Sequence, residues 1–152
     1  MNFILLIGCL LFSSASGRCP DGFVTFGLSC YYFSHDVGTW IGSQVACNQA
    51  FFPTKANLVE INDQEENHFL YQQAKATQKD YWVGASDLQI AGMYRWLSGK
   101  VVSASSSHWI PGQPSRGPEH CMNILQGVST SNCWNDAPCN SLYYFICETP
   151  AN

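Results

Sequence analysis

Cysteine spacing constrains this chain more than any other feature of its sequence. Eight cysteines occur in 152 residues, and Cys9 lies in an apolar N-terminal stretch. The other seven are spread over the remainder of the chain, at Cys19, Cys30, Cys47, Cys121, Cys133, Cys139 and Cys147. In an oxidising compartment six of them would form three disulfide bridges, and one would stay free or pair with another chain. Zinc binding is the competing interpretation, but the closely spaced Cys-x-x-Cys pairs of zinc modules do not occur.

The apolar stretch over residues 3–12 predicts export of the chain. This stretch is too short to span a bilayer and has the character of a signal-peptide core. Ala15 and Gly17 stand at the two positions that a signal peptidase selects. We therefore expect residues 1–17 to be a signal peptide and residues 18–152 to be the secreted, extracellular protein. No second long apolar run follows, so we expect no membrane insertion.

Length and charge limit the classes of partner. Residues 18–152 suit one domain with one hydrophobic core, and their seven Phe, seven Tyr and five Trp supply large apolar surfaces to fill it. The formal net charge is −4 and no basic run occurs. This charge pattern argues against nucleic acid or an anionic membrane as the partner. Acidic loops would instead suit a cation.

Two segments in the first half of the chain are predicted to be helices. The first begins at Thr39, whose hydroxyl can accept hydrogen bonds from free backbone N–H groups. Three of its side chains are predicted to face the core: Trp40, Val45 and Cys47. The second helix is predicted to begin with Asn62 as its cap, followed three residues later by Glu65 in an acidic first turn.

The remainder of the chain has the pattern of short strands joined by long polar loops. A hairpin is predicted within residues 19–34, and strand-like runs occupy residues 81–83, 93–97, 121–125 and 143–147. Residues 103–118 are rich in Ser, Pro and Gly, and a loop of this length inside a compact domain is usually functional or disordered. We expect a functional loop here. Two helices followed by strands around long loops predict an α+β domain.

Six short motifs follow one another along the second half of the chain. They are Trp82-Val83-Gly84, Tyr94-Arg95-Trp96-Leu97-Ser98-Gly99, Trp109-Ile110-Pro111-Gly112-Gln113-Pro114-Ser115, Glu119-His120-Cys121, Trp134-Asn135-Asp136-Ala137-Pro138-Cys139 and Phe145-Ile146-Cys147-Glu148. In order and spacing these motifs resemble the C-type lectin domain, and the resemblance covers essentially all of residues 18–152. It implies a disulfide-stabilised α+β fold with two helices, short antiparallel sheets and long calcium-binding loops.

The resemblance also implies which cysteines pair, a choice that cysteine spacing alone leaves open. The implied bridges are Cys19 with Cys30, Cys47 with Cys147 and Cys121 with Cys139. The second of these would close about 100 residues, for which the chain-entropy model predicts a stabilisation of roughly 4 to 5 kcal/mol. Cys133 is left over. It is either a small buried thiol or the bridge of a disulfide-linked homodimer, and the sequence favours neither.

The resemblance further implies one Ca²⁺ ion held in a loop site. The positions that match the lectin ligands are Gln113, Ser115, Glu119, Asn135 and Asp136, and the same residues would hydrogen-bond the sugar. Ca²⁺ takes six to eight oxygen ligands, and the two carboxylates in this set just balance its charge. Ser115 departs from the family pattern because its short neutral hydroxyl is a poor ligand. We expect weak Ca²⁺ affinity, with Kd on the order of 10⁻⁴ to 10⁻³ M.

Further residues refine the expected site. Pro114 would follow a cis peptide bond, as in the lectins. A second Ca²⁺ site of some relatives is expected to be lost, because Asp87 matches it but Ala91, Arg116 and His120 replace its acidic partners. The four histidines of the chain are expected to be isolated on the surface. Three tryptophans are expected to lie in the core rather than to stack on sugars: Trp82, Trp96 and Trp134.

These features predict a secreted, Ca²⁺-dependent lectin that recognises microbial or self glycans, as in innate immunity. Gln113 matches the first half of a galactose-type triplet while Ser115 matches neither type, so we expect broad or galactose-leaning specificity. The alternative is a structural protein on the same fold, binding mineral or ice without sugar. An enzyme is not expected, since no nucleophile and base occur at recognisable spacing.

Overall fold

The computed structural model describes residues 18–152, so the predicted signal peptide, residues 1–17, lies outside the described residues. The elements in chain order are β1 (Val24–Phe26), β2 (Ser29–Phe33), α1 (Trp40–Gln49), β3 (Asn57–Leu58), α2 (Gln64–Thr77), β4 (Tyr81–Ser86), β5 (Arg95–Trp96), a 3₁₀ turn (Ala104–Ser106), β6 (Cys121–Ile124), β7 (Trp134–Ala137) and β8 (Tyr144–Pro150). The α+β prediction is confirmed. Within residues 18–152 no helix has both the length and the apolar character needed to span a membrane.

The predicted N-terminal hairpin is present. β1 and β2 pair antiparallel, with Phe26 opposite Ser29. Gly27 lies in the turn between them with φ of 57°, a left-handed conformation that glycine adopts without a Cβ clash. β2 continues the sheet by pairing along its whole length with β8. The hairpin therefore joins the start of the domain to its last strand.

Helix α1 begins where the sequence predicts. The Thr39 hydroxyl accepts a hydrogen bond from the Gly42 N–H at 3.1 Å. Trp40 and Cys47 are buried, but Val45 is 46% exposed, so its predicted core position is wrong. Val45 lies five residues after Trp40, which places it roughly 140° around the helix from the buried face. The apolar side chain of Val45 therefore faces solvent.

Helix α2 begins one residue later than predicted. Asp63, not Asn62, is its N-cap, and its Oδ1 accepts the Glu66 N–H at 2.8 Å. The Glu66 carboxylate in turn accepts the N–H of Asn62, the residue before the cap, at 2.7 Å, in an arrangement similar to a capping box. The prediction of Asn62 as the cap is wrong because two good capping residues stand side by side and only the backbone conformation distinguishes them.

The sheet is mixed rather than purely antiparallel. Its strand order is β1-β2-β8-β4-β6-β7, with β3 on β8 and β5 on β4. β8 pairs parallel with β4, while the other strand pairs are antiparallel. The expectation of antiparallel sheets therefore needs one correction. It arises because the last strand inserts beside β4, a long-range pairing that no local pattern records.

The core confirms the expectation for the three tryptophans. Trp82 is 0%, Trp134 1% and Trp96 7% exposed. The Trp82 indole N–H donates to the Gly38 carbonyl at 2.8 Å. The Trp134 indole N–H donates to Asn67 Oδ1, also at 2.8 Å. These buried indoles have hydrogen-bond partners inside the protein, so they are not free platforms for a sugar.

The three disulfides implied by the resemblance are confirmed: Cys19–Cys30, Cys47–Cys147 and Cys121–Cys139. Cys133 is free and 0% exposed, and its Sγ lies 3.9 Å from Asn67 Oδ1. Burial raises the pKa of this thiol to about 12. The structure therefore supports a buried thiol, and a disulfide to a second chain would require local opening around Cys133.

Candidate functional site

Two neighbouring strands position the predicted ligands. Asn135 and Asp136 lie in β7, which pairs antiparallel with β6 so that Asp136 stands opposite Met122. Glu119 lies two residues before β6, and the Cys121–Cys139 bridge ties the start of β6 to the chain just beyond β7. The segment containing Gln113 and Ser115 comes from the long loop before β6. The fold thus brings a loop and a strand pair together.

Ser115 joins the two carboxylates of the site. Its hydroxyl donates to Glu119 Oε2 at 2.5 Å and lies 3.3 Å from Asp136 Oδ2. Its backbone N–H donates to both carboxylate oxygens of Asp136, at 2.9 and 3.0 Å. Sequence reasoning treated Ser115 as a poor ligand and did not anticipate this bridging position. The pairing spans 21 residues along the chain, and no local signal indicates it.

Negative charge is concentrated at this place. Asp136 is 1% exposed, and a buried carboxylate is costly unless it is paired or hydrogen-bonded. Across residues 18–152 neither Asp136 nor Glu119 forms an ion pair with a basic side chain. Burial raises the pKa of the Tyr94 hydroxyl above its ordinary range, and the charges of Asp136, Asp87 and Glu119 raise it further. A cation would offset this charge.

Gln113 and Asn135 add amide oxygens. The side-chain Oε1 of Gln113 is buried and has no hydrogen-bond partner, which is uncommon in a folded protein. The peptide bond between Gln113 and Pro114 is cis, as the resemblance implied. The amide nitrogen of Asn135 donates to Asn123 Oδ1 at 3.1 Å and to the Asp136 carbonyl at 2.6 Å. The Asn135 amide oxygen takes no part in these two bonds.

This donor set fits Ca²⁺. It combines two carboxylates, two amide oxygens and one hydroxyl, which are ligands that a hard cation prefers. In the described part of the chain no group of three or more His, Cys, Asp or Glu side chains could hold a metal ion. A cation at this place would therefore depend on the amide oxygens of Gln113 and Asn135 in addition to Glu119 and Asp136. The unsatisfied oxygen of Gln113 is the observation that best matches such a ligand.

A cavity of about 410 Å³ adjoins the carboxylates. Asp136 and Tyr94 lie in its wall with Asp87, Arg116 and His120. Asp87 Oδ1 pairs with His120 Nδ1 at 2.8 Å, and Asp87 Oδ2 accepts the Gly92 N–H at 2.7 Å. His120 is therefore not the isolated surface histidine that the sequence suggested. Both oxygens of Asp87 are engaged within the protein.

The family model described as the Lectin C-type domain matches residues 37–149. The chain belongs to the C-type lectin family. Domains of this family are generally binding domains without enzymatic activity; they bind glycans, and the family generally binds Ca²⁺. The match spans both helices and both strands that carry the site.

Individual members of the C-type lectin family show the same relationship. C-type lectin domain family 4 member K of Mus musculus is 33% identical over 133 residues, which are 85% of this chain and 38% of that relative. The chain thus spans well under half the length of this relative. The cow C-type carbohydrate-recognition domain of CD23, solved in the presence of GlcNAc2Man3 oligosaccharide, has a TM-score of 0.75 at 32% identity, covering 90% of this chain and 98% of that one.

A third C-type lectin fold is of a different kind. A calcium-independent type II antifreeze protein superposes with a TM-score of 0.75 at 25% identity, covering 91% of this chain and 99% of that one. Its scores are close to those of the carbohydrate-recognition domain. The overall fold therefore does not distinguish a carbohydrate-recognition domain from an antifreeze protein. Function depends on the residues of the site.

Proposed function

We propose that this chain is a secreted protein that binds sugars in a Ca²⁺-dependent manner and recognises glycans, as in innate immunity. The observation that supports this most is the convergence of Glu119 and Asp136 at Ser115, without a basic partner among the described residues. Two residues before Ser115, the buried side-chain oxygen of Gln113 has no hydrogen-bond partner. In the part of the chain that the structure describes, no basic side chain pairs with the two carboxylates to balance their charge. The residue types at this place match those that Ca²⁺ requires.

Bound Ca²⁺ would contribute an attachment point for two neighbouring sugar hydroxyls, which complete its coordination. The protein's own groups would then orient the sugar. The carboxylates of Glu119 and Asp136 accept hydrogen bonds from hydroxyls, whereas the amide nitrogen of Gln113 donates them. The amide nitrogen of Asn135 already donates to Asn123 and to the Asp136 carbonyl, so Asn135 would contribute its oxygen. Ser115 acts as a positioning residue because it is hydrogen-bonded to both carboxylates. No covalent bond is made or broken.

Specificity follows from the direction of these hydrogen bonds. Gln113 can both donate and accept through its amide, as the first residue of a galactose-type triplet does. Ser115 supplies neither a carboxylate nor an amide, and its hydroxyl is already donated to Glu119. The pair therefore discriminates weakly between the hydroxyl arrangements of galactose and mannose. We propose a broad specificity that leans towards galactose.

A glycan array probed with Ca²⁺ and again with a chelator tests this proposal. The matched variants are Glu119→Gln, which removes one site carboxylate, and Asp21→Asn, which removes an exposed carboxylate outside the site. We expect Ca²⁺-dependent binding of galactose-type glycans by the wild type and by Asp21→Asn, and its loss in Glu119→Gln. Sugar binding that persists in chelator, or in Glu119→Gln, would refute the metal-dependent mechanism. An intact mass that corresponds to a chain beginning at or near Arg18 would support secretion. A mass that still includes residues 1–17 would contradict it.

A second candidate function is Ca²⁺-independent binding of ice or mineral. It is favoured by the Ser115 hydroxyl and N–H, which satisfy both carboxylates within the protein without a cation. It also draws on the likeness to the calcium-independent antifreeze protein. Inhibition of ice growth or binding to calcium mineral, measured in chelator, tests it. Equal activity in the wild type and Glu119→Gln, with no sugar bound on the array, would favour this candidate over the first.

A further inference from the structure

We propose that the cavity beside the carboxylates is an anion subsite, in which Arg116 selects sugars that carry a sulfate, phosphate or carboxylate group. This inference rests on the proposed function, since the same sugar would be held at Glu119 and Asp136. With this subsite the protein would bind acidic sugars in preference to neutral ones. The cavity volume of about 410 Å³ falls in the range of small-molecule sites.

Arg116 is the one Lys or Arg side chain among the residues that line this cavity. Its side chain is exposed, and within residues 18–152 no ion pair engages its guanidinium group. The two acids in the cavity wall have other partners. Asp87 is bound by Gly92 and His120, and Asp136 accepts the Ser115 N–H with both oxygens. The guanidinium therefore stays available to a ligand in the cavity.

The charges around the site also favour an anionic ligand at Arg116. A bound Ca²⁺ ion would offset the two carboxylates of Glu119 and Asp136 and leave no excess negative charge there. Asp87 is already hydrogen-bonded by the protein. Asp87 is the remaining carboxylate in the cavity wall, but it pairs with His120 and not with Arg116, whose guanidinium group therefore has no direct anionic partner among the described residues. An anionic substituent on the sugar would supply that partner, because a guanidinium group binds sulfate, phosphate and carboxylate through paired, charge-assisted hydrogen bonds.

The backbone supports a role for Arg116. Its φ is 59°, and the only other non-glycine residue with positive φ in the described chain is Gln78, at the C-cap of α2. An arginine in this left-handed region is uncommon, whereas glycine adopts it without a Cβ clash, as the neighbouring Gly117 with φ of 139° does. A strained residue beside a binding cavity is consistent with a function for its side chain.

The test compares the affinities of galactose and galactose 6-sulfate, and of mannose and mannose 6-phosphate, in Ca²⁺ and in chelator. The variants are Arg116→Gln and Arg116→Lys. Lys55→Gln is the control, because it removes the same charge from an exposed position outside this cavity. We expect the wild type and Lys55→Gln to bind the charged sugars at least about fivefold more tightly than the neutral ones, a ratio that falls as salt is added.

In Arg116→Gln this ratio should fall to about one, and Arg116→Lys should retain part of it because lysine keeps the charge but not the paired geometry. Thermal unfolding confirms that each variant is folded. A wild type that shows no preference, or a preference unchanged in Arg116→Gln, overturns the anion subsite while leaving Ca²⁺-dependent binding of neutral sugars intact. Arg116-dependent binding of the charged sugars in chelator supports the subsite and refutes the Ca²⁺-dependent proposed function. Absence of binding to all four sugars overturns both.

Discussion

Replacing Asp136 by asparagine separates its proposed metal-binding role from its structural role. The side chain is 1% exposed and accepts the Ser115 N–H at 2.9 and 3.0 Å. Asparagine has nearly the same shape and keeps one oxygen for this bond. The exchange weakens a charge-assisted hydrogen bond of about 1.5 to 3 kcal/mol, but it also removes the cost of burying a charge. Because these effects oppose each other, we expect the free energy of unfolding without Ca²⁺ to change by less than about 1 kcal/mol.

Calcium affinity should change far more. Asp136 supplies one of the two negative charges of the site, and a pair of unit charges about 4 Å apart contributes about 4 kcal/mol at an effective dielectric constant of 20. A loss of about 3 kcal/mol or more corresponds to a factor of at least about 100 in Kd. From a wild-type Kd on the order of 10⁻⁴ to 10⁻³ M, the Kd of the variant should rise above about 10⁻² M.

Thermal unfolding with and without Ca²⁺ measures both effects. At about 10 mM Ca²⁺, a Kd between about 1 and 0.1 mM stabilises the wild type by about 1.4 to 2.7 kcal/mol. For a domain of this size each kcal/mol raises Tm by about 3 to 4 °C, so the wild-type Tm should rise by about 5 to 10 °C. The Asp136→Asn Tm should rise by less than about 2 °C, while the matched control Asp21→Asn should follow the wild type. An equal rise in Asp136→Asn would show that Ca²⁺ binds elsewhere.

Three further predictions test other parts of the structure. Because Cys133 is buried, a non-reduced gel should show monomer only. Cys133→Ser should lower the free energy of unfolding by about 1 to 2 kcal/mol because it buries a hydroxyl group. A dimer band that disappears in Cys133→Ser would instead show that Cys133 forms an intermolecular bridge. Burial raises the pKa of the Glu66 carboxyl, so its protonated form favours the folded state. This contribution to stability is complete below the ordinary carboxyl pKa of about 4.3 and is lost as pH rises through the raised pKa. Unfolding at several pH values should therefore show the wild type losing stability relative to Glu66→Gln as pH rises from about 4, and the opposite trend would contradict the assignment. Gln113→Glu combined with Ser115→Asn should shift competition from galactose towards mannose, and strong mannose selectivity in the wild type would refute the role given to Gln113.

Local patterns predicted much of the fold. The Thr39 cap and the hairpin follow from side chains and turn residues that act over a few positions, and both were confirmed. Errors arose where a residue's setting depends on the rest of the molecule. Val45 is apolar but faces solvent. The N-cap of α2 is Asp63 and not its neighbour Asn62. Glu66 in the same helix is a charged residue, yet it is buried against Tyr31, which donates to it at 2.7 Å.

For the candidate site, the sequence by itself supplied the candidate ligand residues, and its resemblance to the family implied the three disulfides that the structure confirms, because the family motifs are short and keep their spacing. Only the tertiary structure decided how those residues meet. Ser115 contacts Asp136 across 21 residues, and His120 contacts Asp87 across 33. Whether Cys133 is exposed likewise depends on α2, whose Asn67 lies 66 residues before it. Such contacts form when distant segments pack on a common sheet, and the free energy that selects them is not contained in any one segment.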